Sequence, residues 1–371
     1  VQARLSFCTY FLLYPLVITL QDWSVNHVRN LKCQPCMEAA QVAILRNILL
    51  PVVRRTPMPM KSINFVILGD FQIASELGKK GTTTDLSIYD RKTQDTIYTW
   101  TAPITFPDKI QSLMQAVNIA EYAILNVTKI DKYLGEQIIA LDAVGFTSGL
   151  ILHSYDVDEV KLKTLIRTTT VSDFKFLDNI HELKQEMTRL EPKSLEGDCI
   201  IPIDHAFDVK GIGTVILGVV KQGTVKTYDQ LKILPSGKNI LVKSIQMHDD
   251  PVNESKSPAR VGLAIKGVAP DDISRGDVLC SHNSPNLKVT TDADAIPAEF
   301  IKSPYHKGDL IENQTYLLSV GMQIKPVKIK HTNTDTIQII PKSLVFFSGQ
   351  NYALLKPDNL GTRIIGKGVI Q

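Results

Sequence analysis

At 371 residues the chain is long enough for two or three domains with cores of their own. Its 44% apolar and 21% charged content are those of an ordinary soluble globular protein, which sets aside a disordered or fibrous chain. A formal charge of +3 permits a nucleic-acid partner without arguing for one, and five scattered cysteines exclude a disulfide framework.

Residues 1–59 form the oddest stretch. Arg4 precedes a short apolar run ending at Leu20, in the manner of a signal peptide, but the run holds Pro15 and no small-residue cleavage site follows. It is too short for a confident membrane span. Residues 37–50 carry a weak helical period, and Pro51, Pro57 and Pro59 then break the chain. Cys33 and Cys36 form a lone C-x-x-C with no second pair at zinc-finger spacing and no thioredoxin-like context, so neither metal nor redox chemistry is assigned. The expectation is an extension with no part in the fold, in a chain whose natural start is Met60. A membrane tether is the sharper alternative.

Residues 60–195 alternate apolar strand and helix patterns. Strands are expected at 63–68, 122–127 and 149–152, and helices at 110–119, 134–144 and 181–190. This alternation predicts an α/β domain with a mostly parallel sheet. Residues 193–198 read as a linker.

From 199 onward the pattern turns to strands. Residues 203–225 read as two β-strands joined by Lys210-Gly211-Ile212-Gly213, closed by Gly223, and a second such block covers 260–279. Further strands are expected at 316–320, 326–329, 336–340 and 344–347. The chain closes on Arg363-x-x-Gly366-x-Gly368-x-Ile370.

The blocks at 203–225 and 260–279, with this closing motif, resemble domains II and III of the SelB and EF-Tu group of translation elongation factors. The nearest likeness is to the archaeal SelB-like paralogue group called EF-Pyl. The resemblance covers 60–371. It implies a P-loop GTPase-like α/β domain over 60–195, here degenerate, then two small β-barrels over 196–283 and 284–371. It also implies a tRNA 3′-end pocket near Val220, Gly223 and Gln246, the last standing where the family carries Glu. Lys328 and Lys330 would share one strand face and, with Lys325, offer phosphate contacts; a solvated strand face explains them equally well. His205 is expected to pack rather than to catalyse.

The family further implies GTP and Mg²⁺, but its three nucleotide motifs are altered. A phosphate loop needs Gly-x-x-x-x-Gly-Lys-Ser/Thr after the first strand. Here Gly69 is followed by D-F-Q-I-A-S-E, and Gly78-Lys79 lies too far on, as the turn after a short helix. The Asp-x-Pro-Gly-His motif is replaced by the stretch 100–105. Thr128-Lys129-Ile130-Asp131 mimics the guanine motif but sits one strand early; at the proper place, His153 to Asp156, only Asp156 survives. Gly69 and Asp156 are thus the remaining candidate nucleotide contacts, and no catalytic or metal-binding residue is assigned.

Three readings stay open: a tRNA- or ribosome-binding factor that does not hydrolyse GTP, an active GTPase using an unusual phosphate site, and an interaction scaffold. The first predicts a cytoplasmic monomer with neither DNA nor membrane as partner.

Overall fold

The computed structural model describes residues 60–282, 284–291, 294–331 and 335–371. The expectations for Arg4 to Leu20, the 37–50 helix, and Cys8, Cys33 and Cys36 fall outside the described residues.

The first lobe is built on a seven-stranded mixed sheet. Its strands are β1 (Lys61–Gly69), β2 (Lys79–Thr83), β3 (Ser87–Lys92), β4 (Thr96–Ala102), β5 (Tyr122–Val127), β6 (Gly149–His153) and β7 (Lys175–Leu177), in the order β2-β3-β4-β1-β5-β6-β7. β4, β1, β5, β6 and β7 run parallel, while β2 and β3 form an antiparallel edge. The helices are α1 (Ala74–Leu77), α2 (Ile110–Ile119), α3 (Lys132–Val144), α4 (Glu159–Ile166) and α5 (Ile180–Arg189).

β1 is an unbroken apolar run because both its faces are covered. One face packs under α2 and α3 through Val66, Leu68, Leu113 and Ile138. The other packs Phe65 and Ile67 against Trp100, Leu183 and Met187.

In the second lobe six strands close a ring. The sheet order runs 230–234, 278–281, 200–209, 213–219, 260–266, 238–247, and strand Gln230–Leu234 then pairs back onto Lys238–Met247. Closure leaves no open edge in that ring. The third lobe is a seven-stranded antiparallel sheet, 296–369, drawn together by a bridge between Ala298 and Ile370. The closing glycines are explained here. A Cβ on Gly368 would lie 1.9 Å from the Glu299 carbonyl oxygen, and one on Gly366 would lie 2.2 Å from the Phe300 ring. Only glycine lets these strands approach so closely.

The α/β sheet followed by two barrels agrees with the expectation. The antiparallel pair β2–β3, the strand β4 and the elements α4 and β7 are additions to it. The strand expected at 326–329 is longer, Gln323–His331, because Pro326 sits within a ladder that pairs it with Leu317.

All three lobes come together where Ile119, Val219 and Met322, one from each, bury together. Among the described residues no helix is long and apolar enough to cross a membrane.

Candidate functional site

The carboxyl end of β1 is where a phosphate loop would begin. Gly69 takes φ +78°, and a Cβ there would fall 2.0 Å from the Asn126 carbonyl oxygen of the neighbouring strand. Its N–H donates to Gln137 Oε1 at 3.0 Å, and the Asp70 N–H donates to Asn126 O at 2.8 Å. Asp70 Oδ1 accepts the Gln72 N–H at 3.0 Å and so caps a single 3₁₀ turn, Phe71–Ile73. The four-residue α1 follows and ends at Gly78, whose backbone is extended, and Lys79 opens β2; the turn expected at Gly78-Lys79 is instead the start of a strand, because Lys79 and Lys80 pair with β3.

Replacing Gly69 by alanine forces both a left-handed backbone and a backbone clash on an L-residue. A loss of roughly 2–4 kcal/mol is expected by urea denaturation; a change under about 0.5 kcal/mol would contradict this account of the turn.

A cavity of about 270 Å³ opens above the ends of β1 and β5, lined among others by Gly69, Asp70, Thr128, Asp131, Tyr133 and Gln137. Asp131 is spent as the N-cap of α3. Its Oδ1 accepts the Tyr133 and Leu134 N–H groups at 3.0 and 2.9 Å, and Lys129 pairs with it at 3.0 Å. Thr128 to Asp131 therefore open a helix one strand before the position at which a guanine contact is expected. At that later position Asp156 is exposed in the turn after β6 and makes no cap; Asp158 caps α4 by accepting the Lys161 N–H at 3.0 Å. Of the stretch 100–105, Trp100 to Ala102 belong to β4 and are buried.

In the second lobe the three expected pocket residues are not brought to one surface. Val220 is fully buried in the barrel core. Gly223 is a buried turn with φ +72°, where a Cβ would meet Gly197 O at 2.4 Å. Gln246 lies exposed on the strand Lys238–Met247, opposite Gly262 and Pro251. In the third lobe Lys328 and Lys330 alternate outward on one face, as their spacing requires. Lys325 belongs to the opposite face, is half-buried, and lies near enough to Asp277 to act on its charge.

The strongest polar cluster joins the first two lobes. A register shift between Ile203 and His205 makes Asp204 the extra residue of a β-bulge, and its side chain is buried. Asp204 is ion-paired with Arg260 and accepts from His205 Nδ1 at 2.7 Å. His205 Nε2 lies 3.0 Å from Thr84 Oγ1 on the β2–β3 turn, so His205 bridges two lobes. Arg275 donates to both Asp85 oxygens at 2.5 and 2.6 Å, to Gln115 Oε1 at 3.2 Å and to the Asp204 carbonyl at 2.9 Å. Lys221, half-buried on the second lobe, donates to the Ala120 carbonyl at the end of α2 at 3.2 Å; desolvation pushes its amine down to about 8, against the pull of Glu121.

A second seam joins α3 to the third lobe. Arg363 makes a forked pair with Glu136, with Nη2 to Oε2 at 2.5 Å, and Lys367 reaches Asp142 at 2.6 Å. The closing motif is the sequence signal that marks Arg363; nothing in the sequence singles out Glu136 or Asp204. The two described cysteines, Cys199 and Cys280, are free and buried, and burial drives the Cys199 thiol up to about 12, out of the reactive range. No group of three or more metal-ligating side chains gathers among the described residues.

Comparison with known proteins agrees with this architecture. Residues 213–280 match the family described as Elongation factor Tu domain 2. An uncharacterised protein of Methanocaldococcus jannaschii, MJ0325, is 34% identical over 299 residues, 80% of this chain and 95% of that one. The selenocysteine-specific elongation factor of the same organism is 29% identical over 62% of this chain, which spans 55% of that protein's length. The crystal structure of elongation factor SelB from Methanococcus maripaludis in complex with the GTP analogue GppNHp superposes with a TM-score of 0.71 at 24% identity, covering 85% of this chain and 80% of that one. The chain belongs to the SelB/EF-Tu-like family of translation elongation factors.

Proposed function

We propose that this chain is a translation-factor paralogue that binds tRNA, or the ribosome, without binding or hydrolysing GTP. One contrast carries the reading. A closed second-lobe barrel stands beside a first strand whose phosphate-loop position holds a short self-bonded turn. A Mg²⁺–triphosphate needs N–H groups turned toward its oxygens, a cation, and a hydroxyl for the metal. Here the Gly69, Asp70 and Gln72 N–H groups are engaged within the protein, and the side chain at the turn is a carboxylate. These residues do not fit the group, and no catalytic step is assigned to it.

The partner follows from the family and the barrels: a tRNA met at its 3′ end by the second lobe and along its backbone by Lys328 and Lys330. A monomer acting in the cytoplasm, with neither DNA nor membrane, fits this partner. The test is filter binding of aminoacylated and bare tRNA at about 50 and 200 mM salt, with and without Mg²⁺–GTP. Binding should weaken steeply with salt and be indifferent to GTP. Absence of tRNA binding at low salt would sink the reading. Ribosome-stimulated GTP turnover would return the site to nucleotide chemistry, with Asp156 as its guanine contact.

A further inference from the structure

We propose that the cavity at the carboxyl ends of β1 and β5 is a binding site for a small α-amino acyl compound: an ammonium group beside a carbonyl, carried on an apolar side chain. The inference rests on the reading that Mg²⁺–GTP does not occupy this place.

The position comes first. The chain leaves β1 for β2, β3 and β4 on one side of the sheet, then crosses through α2 to β5 on the other. β1 and β5 therefore flank the switch point of the sheet, and the crevice outside the carboxyl ends of such strands is where open α/β sheets take ligands. Its volume of about 270 Å³ equals roughly nine water volumes at about 30 Å³ each, enough for a molecule of about ten heavy atoms.

The chemistry comes from two side chains with spare capacity. Gln137 is 6% exposed and lines the cavity. Its Oε1 is fixed as the acceptor by the Gly69 N–H, so its Nε2 is the donor end, and Nε2 meets no acceptor among the described residues. The side chain is nine-tenths buried while its N–H₂ opens onto the cavity, where a ligand carbonyl can take the place of water as acceptor. Asp70 lines the same cavity; Oδ1 accepts the Gln72 N–H, and Oδ2 has no partner among the described residues. A carboxylate oxygen and an amide donor that line one cavity suit a ligand carrying both a cationic donor and a carbonyl.

The other charges are engaged, since Lys129 and Asp131 pair with each other at the rim. The remaining wall is apolar, with Leu68, Val127 and Leu134 beside Phe106 and Tyr133, whose rings meet edge to face at 6.1 Å. Those surfaces suit a branched or aromatic side chain.

Leucinamide is the probe, titrated calorimetrically into the full chain. Binding is expected with a Kd of roughly 0.1–1 mM, the range a nine-heavy-atom ligand can reach. N-acetyl-leucinamide, which lacks the ammonium, and 3-methylbutylamine, which lacks the carbonyl, should each bind at least tenfold more weakly. Asp70→Asn keeps an acceptor for the Gln72 N–H, so the turn persists, and should weaken leucinamide at least tenfold with an unchanged melting curve. No binding up to about 10 mM, equal binding of either truncated analogue, or equal binding by D70N overturns the proposal. Mg²⁺–GTP titrated in parallel separates the two readings. If GTP binds here and leucinamide does not, both fall; if neither binds, only this inference falls.

Discussion

Arg363→Ala lowers stability by about 3–5 kcal/mol in urea denaturation, one of the two largest losses expected from a single substitution in this protein. The guanidinium is 13% exposed and its partner Glu136 is 7% exposed, so neither charge has water to fall back on. Three of its N–H groups point at Glu136, counting the backbone, and Nη1 donates to the Pro107 carbonyl at 2.5 Å. Truncation leaves a buried carboxylate held only by one backbone N–H, and a carbonyl without its donor. The pair is costly to break without being a net source of stability. Replacing both residues with leucine should therefore cost less than Arg363→Ala alone, because no orphan charge remains. A single-mutant loss below about 1 kcal/mol would mean that α3 and the third lobe separate without consequence.

Much of this architecture is legible in the sequence, for a physical reason. β5, α2 and α3 announce themselves because each buries a continuous apolar face, and that period is written locally. β2, Lys-Lys-Gly-Thr-Thr, is exposed along its whole length and has no such period to read. β4, Thr-Ile-Tyr-Thr-Trp-Thr-Ala, is buried on both faces, and its threonines disguise it as a polar motif segment. The position of Thr128 to Asp131 is legible because a strand and a helix bracket it, which identifies the Asp as a cap. The seams are not legible: Asp204 meets Arg260 across 56 residues, Arg275 meets Asp85 across 190 and Arg363 meets Glu136 across 227. The idle Nε2 of Gln137 is equally invisible, since its meaning comes from the Gly69 N–H 68 residues away.

The two seams bear on the proposed loss of nucleotide chemistry. The first lobe is tied to the second through Thr84 and Asp85, on the hairpin that follows the altered phosphate turn, and to the third through α3, which carries Gln137. The elements nearest the position at which the family's phosphate loop is expected are thus the elements that hold the barrels. A ligand in the β1–β5 cavity would touch the same helix that Arg363 grips, since Gln137 and Glu136 are neighbours on α3.

Asp204→Asn has the other large effect, and pH separates its causes. Burial alone would raise the Asp204 carboxyl, but the charge of Arg260 and the bonds from His205 and Arg260 overrule it and hold the group at about 2, below its ordinary 3.8. A carboxyl depressed in the folded state contributes stability that is fully present above its unfolded value. That contribution is lost as pH falls from about 4 through 2, and at about 1.4 kcal/mol per pH unit it amounts to roughly 2 kcal/mol. Asparagine keeps the shape and one acceptor but leaves Arg260, 15% exposed, without its counter-charge. At pH 7 the variant should lose about 3–5 kcal/mol. Between pH 4 and pH 2 its stability should fall less than that of the unaltered chain, so the two curves converge on the acid side. Parallel curves through that window would show that the bulged carboxylate is not ionised in the fold, and that the Thr84–His205 bridge is held by something other than its charge.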